Sequence, residues 1–355
     1  MINQGSRHKV GLIIQGPVVS GGMTGKTYGE GRTYAPNSSF VKFDSSEYIS
    51  QNLVNAEKFE FIVISTWNTQ DLSSVEIPEK LASKTHVVLS EDPTPNAKFI
   101  RAPIDGIPFA HQLNKVRQFY SILQGLNQLK LLGCTHAVKI RTDQLLDLEA
   151  LHEEMTDFAE HNLSGLLVPG LRRESPLIIN DFFLGAALPV FEVISRLMCN
   201  PTIEFNENVH IDLFYKTIWA NPLESVNIPF SRFFLDNGKN SISTGQYFQE
   251  FSSKLFHPAA SKIYKTIQWR GEQILHIQED LVFSDDINAN HSVLMTGDLM
   301  LELNLPRALT RFIGHHSLTR FIWSYLFNVM FLQIRRIRQK ISTFRDIHGL
   351  RLGRK

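Results

Sequence analysis

The segment NKVRQFYSILQGLNQLKLLGCTHAVKIRTD, Asn114 to Asp143, carries two periodicities in succession. Val116, Phe119, Tyr120, Leu123, Leu126 and Leu129 recur at spacings of three and four. That is one apolar face of a helix, and Gly133 stops it. Thr135 to Ile140 then reads as a strand, whose side chains alternate between faces. Val138 and Ile140 share one face, while Lys139, Arg141 and Asp143 take the other. A helix feeding a strand in this way is half of an α/β unit.

The alternation continues on both sides. Val10 to Ile14 is a short apolar run closed by Gly16-Pro17, as for a buried strand. Phe59 to Ser65 and His86 to Leu89 read as further strands, and Ser90 to Pro95 as a turn. Leu148 to Phe158, Pro189 to Met198 and His210 to Trp219 read as helices, with short strands at Leu166 to Pro169 and Leu177 to Ile179. Val18 to Ser39, rich in Gly, Ser, Thr and Asn, reads as a long loop. Asn221 to His257 is aromatic-rich and irregular, and there is no internal repeat. The expected fold is α/β, with a mostly parallel sheet flanked by helices.

The chain has 355 residues, 43% apolar and 20% charged. Such a composition supports a buried core and excludes a disordered or collagen-like chain. The formal net charge of +1 hides a split. Arg307 to Lys355 holds eleven basic residues and one acid, for +10. The remainder holds 25 basic and 34 acidic residues, for −9. The expected division is a body over residues 1–306, whose part 221–306 resists assignment, and a basic segment over 307–355. Cys134 and Cys199 lie in apolar stretches and read as buried free thiols. Met1 to Ile14 shows no signal peptide. Phe321 to Leu332, broken by Ser324 and Asn328, is shorter than the ~20 residues that span a bilayer. A cytoplasmic protein is expected.

Several clusters compete as functional sites. Gly21-Gly22-Met23-Thr24-Gly25-Lys26-Thr27 has the look of a phosphate-cradling loop. Ser20 stands where its first Gly belongs, and Gly29, Gly31 and Pro36 deny it the following helix. Lys139, Arg141 and Asp143 are the stronger signal. Two cations and a carboxylate at a strand's carboxyl end sit where open α/β sheets bind ligands. Arg clamps phosphate oxygens and Asp holds a divalent metal, while an ion pair capping the strand is the plainer alternative. Asn114, Arg117 and Gln118 share one helix face toward the same strand end. Asp181, between Ile178-Ile179 and Phe182-Phe183, is either a turn residue or a desolvated general base. Glu204, Glu207 and Asp212 read first as helix-start acids, with a metal pair of His210 and Asp212 as the weaker alternative. In the tail, Trp323, Phe327, Met330, Ile334, Ile337, Ile341 and Phe344 form one apolar helical stripe, with most of the Arg residues off it. A basic amphipathic helix of this kind suits an anionic membrane surface, and it lacks the base-stacking platform of a nucleic-acid binder.

These pieces form an ordered set. Ile13-Ile14-Gln15-Gly16-Pro17, Ile64-Ser65-Thr66-Trp67 and Ser90-Glu91-Asp92-Pro93 come first. Asn114-Lys115-Val116-Arg117-Gln118, Gly125-Leu126, Val138-Lys139-Ile140-Arg141-Thr142-Asp143 and Asp181-Phe182-Phe183-Leu184-Gly185 follow. In this order and spacing the chain resembles the WavE lipopolysaccharide-synthesis family over roughly Lys9 to Trp219. The resemblance implies a GT-A-like (Rossmann-like) glycosyltransferase of bacterial surface-polysaccharide assembly. Its partners would be a nucleotide-sugar donor and a lipid-linked glycan acceptor: lipopolysaccharide core, O-antigen or capsule. Lys-x-Arg-x-Asp would stand in place of the Asp-x-Asp signature, with Arg141 at its first Asp. The diphosphate charge would then be met by Arg141 directly, or by Mn2+ or Mg2+ on Asp143.

On this expectation Gln15, Gly16, Ser65, Thr66, Trp67, Asp92, Asn114, Arg117, Gln118, Lys139, Arg141 and Asp143 bind the donor. Asp181 is the first candidate for the acceptor-side base and Glu207 the second. The tail would hold the protein on the inner face of the inner membrane. A sugar- or polyol-phosphate transferase and a non-catalytic assembly factor are the alternatives.

Overall fold

All six residues of Val10–Gln15 are buried, as befits a parallel strand covered on both faces. The computed structural model describes residues 8–23, 40–94, 109–161, 163–172, 179–200, 209–220, 255–273 and 281–285. In chain order the elements are β1 (Val10–Gln15), β2 (Val19–Met23), β3 (Phe40–Asp44), α1 (Ser46–Asn55), β4 (Phe61–Trp67), β5 (Thr85–Ser90) and α2 (Phe109–Leu131). There follow β6 (His136–Arg141), β7 (Gln144–Leu145), α3 (Leu148–Glu160), β8 (Leu166–Val168), β9 (Leu171–Arg172), β10 (Leu184–Ala187), α4 (Leu188–Cys199) and α5 (Val209–Ala220). The last are β11 (Phe256–Pro258), α6 (Ser261–Thr266), β12 (Gln268–Trp269), β13 (Glu272–Gln273) and β14 (Leu281–Val282).

The main sheet runs β11-β8-β10-β6-β1-β4-β5. β1 pairs in parallel with β4 on one side and β6 on the other, and β4 pairs in parallel with β5. β10 is antiparallel to both β6 and β8, and β8 is parallel to β11. The fold is therefore α/β with a mostly parallel mixed sheet.

Alternation sorts the side chains into two layers. Leu12, Ile14, Ile62, Ile64, Val138 and Ile140 face Ile49 and Leu53 of α1, Leu151, Met155 and Phe158 of α3, and Ile263 of α6. Ile13, Val63 and Ala137 face Phe119, Ile122 and Leu126 of α2, together with Phe191 and Ile194 of α4 and Leu213 of α5. Gly125 lets α2 lie close on β1, since a Cβ there would sit 2.8 Å from Cγ2 of Ile13. Asp147 caps α3, its Oδ1 accepting from the Ala150 N–H at 2.9 Å.

Several expectations need correction. Val19–Met23 is a strand paired with Phe40–Asp44, so the run read as one loop from Val18 to Ser39 opens as a hairpin arm. Gly21, Gly22 and Met23 of the phosphate-loop-like stretch lie in that strand. Helix α2 begins at Phe109, five residues before the segment read as helical, so Asn114 is an exposed residue in its second turn. Of Leu177 to Ile179 only Ile179 is described, as an isolated bridge to Leu171. His257, at the end of the irregular region, belongs to edge strand β11. Cys134 is buried and Cys199 partly so, both as free thiols. Burial pushes their pKa values up to about 11 and about 12. The tail expected to form a helix at 307–355 lies outside the described residues. Among the described residues, no helix is long and apolar enough to cross a membrane.

Candidate functional site

From β1 the chain steps outward through β4 to β5, then returns along α2 to β6 on the other side of β1. The order reverses between β1 and β6, and ligands of open α/β sheets bind beyond the carboxyl ends of such a pair. Gln15 and Arg141 close that pair in register. The Thr142 N–H donates to the Gln15 carbonyl at 3.0 Å, and the Gly16 N–H to the Ser65 carbonyl at 3.2 Å. Thr142 Oγ1 donates to the Pro17 carbonyl at 2.7 Å. Gly16 has φ +132°, and a Cβ there would lie 2.8 Å from Thr142 Oγ1. Both the backbone and the space demand glycine.

Asp143 lies just past the end of β6, with its side chain only 3% exposed. A carboxylate so desolvated must be paired. Arg141 donates from Nε to Oδ1 at 2.9 Å and from Nη2 to Oδ2 at 3.1 Å. Arg270 Nε and Trp269 Nε1 donate to Oδ2 at 2.8 and 3.1 Å. The last two arrive because β12 pairs with β7, setting Trp269 beside Gln144, and because the Arg270 N–H donates to the Asp143 carbonyl at 3.0 Å. The guanidinium carbons of Arg141 and Arg270 lie 5.7 and 5.1 Å from the Trp269 ring centroid. Burial works against the Asp143 charge, but Arg141 and then Arg270 outweigh it and hold the carboxyl well below its usual range. Arg141 and Arg270 themselves stay 27% and 24% exposed, so the cationic side of the cluster faces outward.

A second cluster lies deeper. Lys139 is fully enclosed, and its ammonium donates to the Asp181 carbonyl. Burial pushes its pKa down to about 8; Arg141 adds to the push, and Asp181 and Asp143 resist it. The Asp181 carboxylate accepts from Gln118 Nε2 at 2.6 Å and lies 3.9 Å from His210 Nδ1. Burial opposes its charge, but Lys139 first, then His210 and Arg141, hold the carboxyl well below its usual range. The Asp181 carboxylate is thus engaged by Gln118, with Lys139 and His210 as its charged neighbours. His210 Nδ1 meets the Ile179 carbonyl at 2.8 Å, an acceptor that requires the proton on that nitrogen. Asp212 lies in the first turn of α5, as read, and is also a buried counter-ion, 3.0 Å from Lys115 Nζ and 2.7 Å from Lys216 Nζ.

Of the remaining expected residues, Ser65, Arg117 and Asp92 have structural partners. Ser65 and Thr66 are fully buried. Ser65 Oγ donates to the Ser121 carbonyl at 2.7 Å and Ser121 Oγ returns to the Ser65 carbonyl at 2.9 Å, tying β4 to α2. Trp67 is half-buried at the end of β4. Arg117 donates to Asp92 Oδ2 from Nε at 2.9 Å and Nη2 at 2.6 Å. Burial opposes the Asp92 charge, yet Arg117 and Thr94 draw its pKa down to about 2. Glu207 lies outside the described residues. Of the twelve residues expected to bind donor, the structure brings Gln15, Gly16 and Arg141 to one strand end, where Gln15 and Gly16 are buried and Arg141 is partly exposed. It encloses Lys139, Ser65 and Thr66, and it leaves Asn114 exposed on α2.

Among the described residues, no group of three or more His, Cys, Asp or Glu side chains is placed to hold a metal. Asp143 already accepts from two guanidiniums and an indole. A divalent cation would have to displace them, so these donors do not fit one.

Residues 49–171 match the WavE lipopolysaccharide synthesis family. The WavE match spans Asp92, Arg117, Gln118, Lys139, Arg141 and Asp143. Gln15, Asp181, His210, Trp269 and Arg270 lie outside it. No curated protein matches the chain. A structural likeness extends to the crystal structure of 4-diphosphocytidyl-2C-methyl-D-erythritol synthase, at 12% identity and a TM-score of 0.30, over 59% of this chain and 85% of that one.

Arg270 and Trp269 were not foreseen from sequence, since Arg270-Gly271 lacks the Asn or Asp that marks a two-residue hairpin turn. The depressed carboxyls carry a pH prediction. Asp143 and Asp181 hold protons more weakly folded than unfolded, so both add stability above the unfolded carboxyl value of ~4 and lose it as pH falls below. Asp143→Asn should destabilise the protein by about 2–4 kcal/mol at pH 7, less than a fully buried pair because its partners are partly solvated. It should also flatten the acid limb of a urea-denaturation pH series. An unchanged limb would show that Asp143 is not so paired.

Proposed function

We propose that this protein is a glycosyltransferase of lipopolysaccharide or related surface-polysaccharide synthesis. It moves a sugar from a nucleotide-sugar donor to a core, O-antigen or capsule acceptor. The observation that supports this most is the open, cation-bearing end of β6 at the sheet's reversal point, inside the segment that matches WavE. Arg141 would stabilise the charge that develops on the departing diphosphate, and donors preset for such charge are the largest lever in transfers of this type. Gln15 and Gly16 would frame the nucleotide at the adjoining strand end. Lys139, fully enclosed, acts through Asp181 and Arg141 and not by contact with the donor. Asp181 then serves as an anchor for Gln118 and Lys139.

Incubation of the full chain with nucleotide sugars and a delipidated polysaccharide acceptor, read by product mass, tests the proposal. A hexosyl-type increment that falls ~10²–10³-fold in rate with Arg141→Gln is the expected outcome. A sugar-phosphate increment would replace the proposal with phosphotransfer, and transfer undiminished by Arg141→Gln would remove the site from the chemistry.

The basic stripe of residues 307–355 is proposed to hold the protein on anionic lipid, each cation near the surface adding ~1 kcal/mol. In flotation with phosphatidylglycerol vesicles at low salt, the full chain should rise with the lipid and a chain lacking Arg320 to Lys355 should not. Equal flotation of the two would end the anchor idea.

A further inference from the structure

Arg270 stands at a backbone position that arginine avoids. Its φ is +52°, and it is the one non-glycine residue with positive φ among those described. Gly271, at φ +84°, follows it. The two form the turn between β12 and β13, where Trp269 pairs with Glu272. Two-residue turns of this type strongly prefer Asn, Asp or Gly at the first position. A long cationic side chain there costs conformational energy that the hairpin does not require. What the arginine does instead is lay its Nε on Asp143 Oδ2 and its guanidinium over Trp269. Among the described residues, nothing accepts from its two terminal nitrogens, and the side chain stays 24% exposed.

Arg141 reaches the same carboxylate from the end of β6. One buried acid thus positions two partly exposed guanidiniums. Asp143 holds the arginines in place, so its own carboxylate is not left over for a divalent cation.

We infer that Arg141 and Arg270 together form a two-armed site for a diphosphate, which binds without a divalent cation. The chemistry is that of bidentate guanidinium–phosphate pairing, with Asp143 and Trp269 as positioning residues. The inference rests on the transferase proposal only for the source of the diphosphate, a nucleoside diphosphate; the anion site itself stands on the geometry. It also gives the region beyond the WavE match a contribution to the site.

The test is calorimetry on the full chain with inorganic pyrophosphate in EDTA. Wild-type protein should bind. Arg270→Gly suits the left-handed backbone and should keep its melting temperature within a few degrees, yet bind at least about tenfold more weakly, the loss of one charge-assisted hydrogen bond. Arg270→Lys, which keeps the charge and loses the fork, should fall between. Absence of binding in EDTA, binding that needs Mg2+ or Mn2+, or Arg270→Gly binding like wild type would each overturn the inference. A second arm compares UDP and GDP with geranyl diphosphate. Preference for a nucleoside diphosphate supports the inference together with its source. Tighter binding of geranyl diphosphate would keep the anion site and overturn the nucleoside source, and with it the donor reading of the proposed function.

Discussion

A carboxylate buried at the end of the central strands governs how the two halves of this site come together. Asp143 cannot stay ionised at 3% exposure without cations beside it. Arg141 alone neutralises it from two residues away. The indole N–H of Trp269 and the guanidinium of Arg270 arrive from more than 120 residues downstream, carried by the pairing of β12 with β7. That requirement fixes a distant hairpin against the carboxyl end of β6. The result is a rim of two arginines above a buried, charged floor.

The floor continues inward as compensated pairs. Lys139 sits between the Asp181 carbonyl and the charges of Asp143 and Arg141. Asp181 in turn receives Gln118 from α2 and faces His210 from α5. Lys115 and Lys216 close on Asp212 behind them. Buried ions in such number add little net stability over an apolar core, but they fix relative positions: α2, α5, β6 and the segment leading into β10 are tied together by polar contacts with narrow geometry. Preset donors and fixed charges are what a site for a developing anion needs.

The parts of this arrangement that sequence revealed are those encoded locally. The continuous apolar runs of β1 and β4 and the three-and-four spacing in α2, α3 and α4 come from burial on whole faces, which periodicity reports directly. The same alternation separated Lys139, Arg141 and Asp143 from Val138 and Ile140, so the charged strand end was legible. β10, with four residues including Gly and two Ala, and β11, with three, are too short to carry a pattern. Helix α1, Ser46–Asn55, hides its face of Ile49 and Leu53 among polar residues. The partners of Asp143 were invisible because their contacts span the chain. The burial of Ser65 and Thr66 was missed for a related reason: hydroxyls at a strand end look like ligand donors until a helix is known to cover them.

On the proposed reading, the anionic part of the substrate binds at the carboxyl end of β6, where Arg141 and Arg270 are held on Asp143. A crystal structure of the full chain soaked with UDP or GDP tests it most directly. The account predicts the diphosphate within hydrogen-bond distance of both guanidiniums, beside Gln15 and Gly16. A diphosphate bound elsewhere on the sheet, or held through a divalent cation on Asp143 with the arginines displaced, would contradict it.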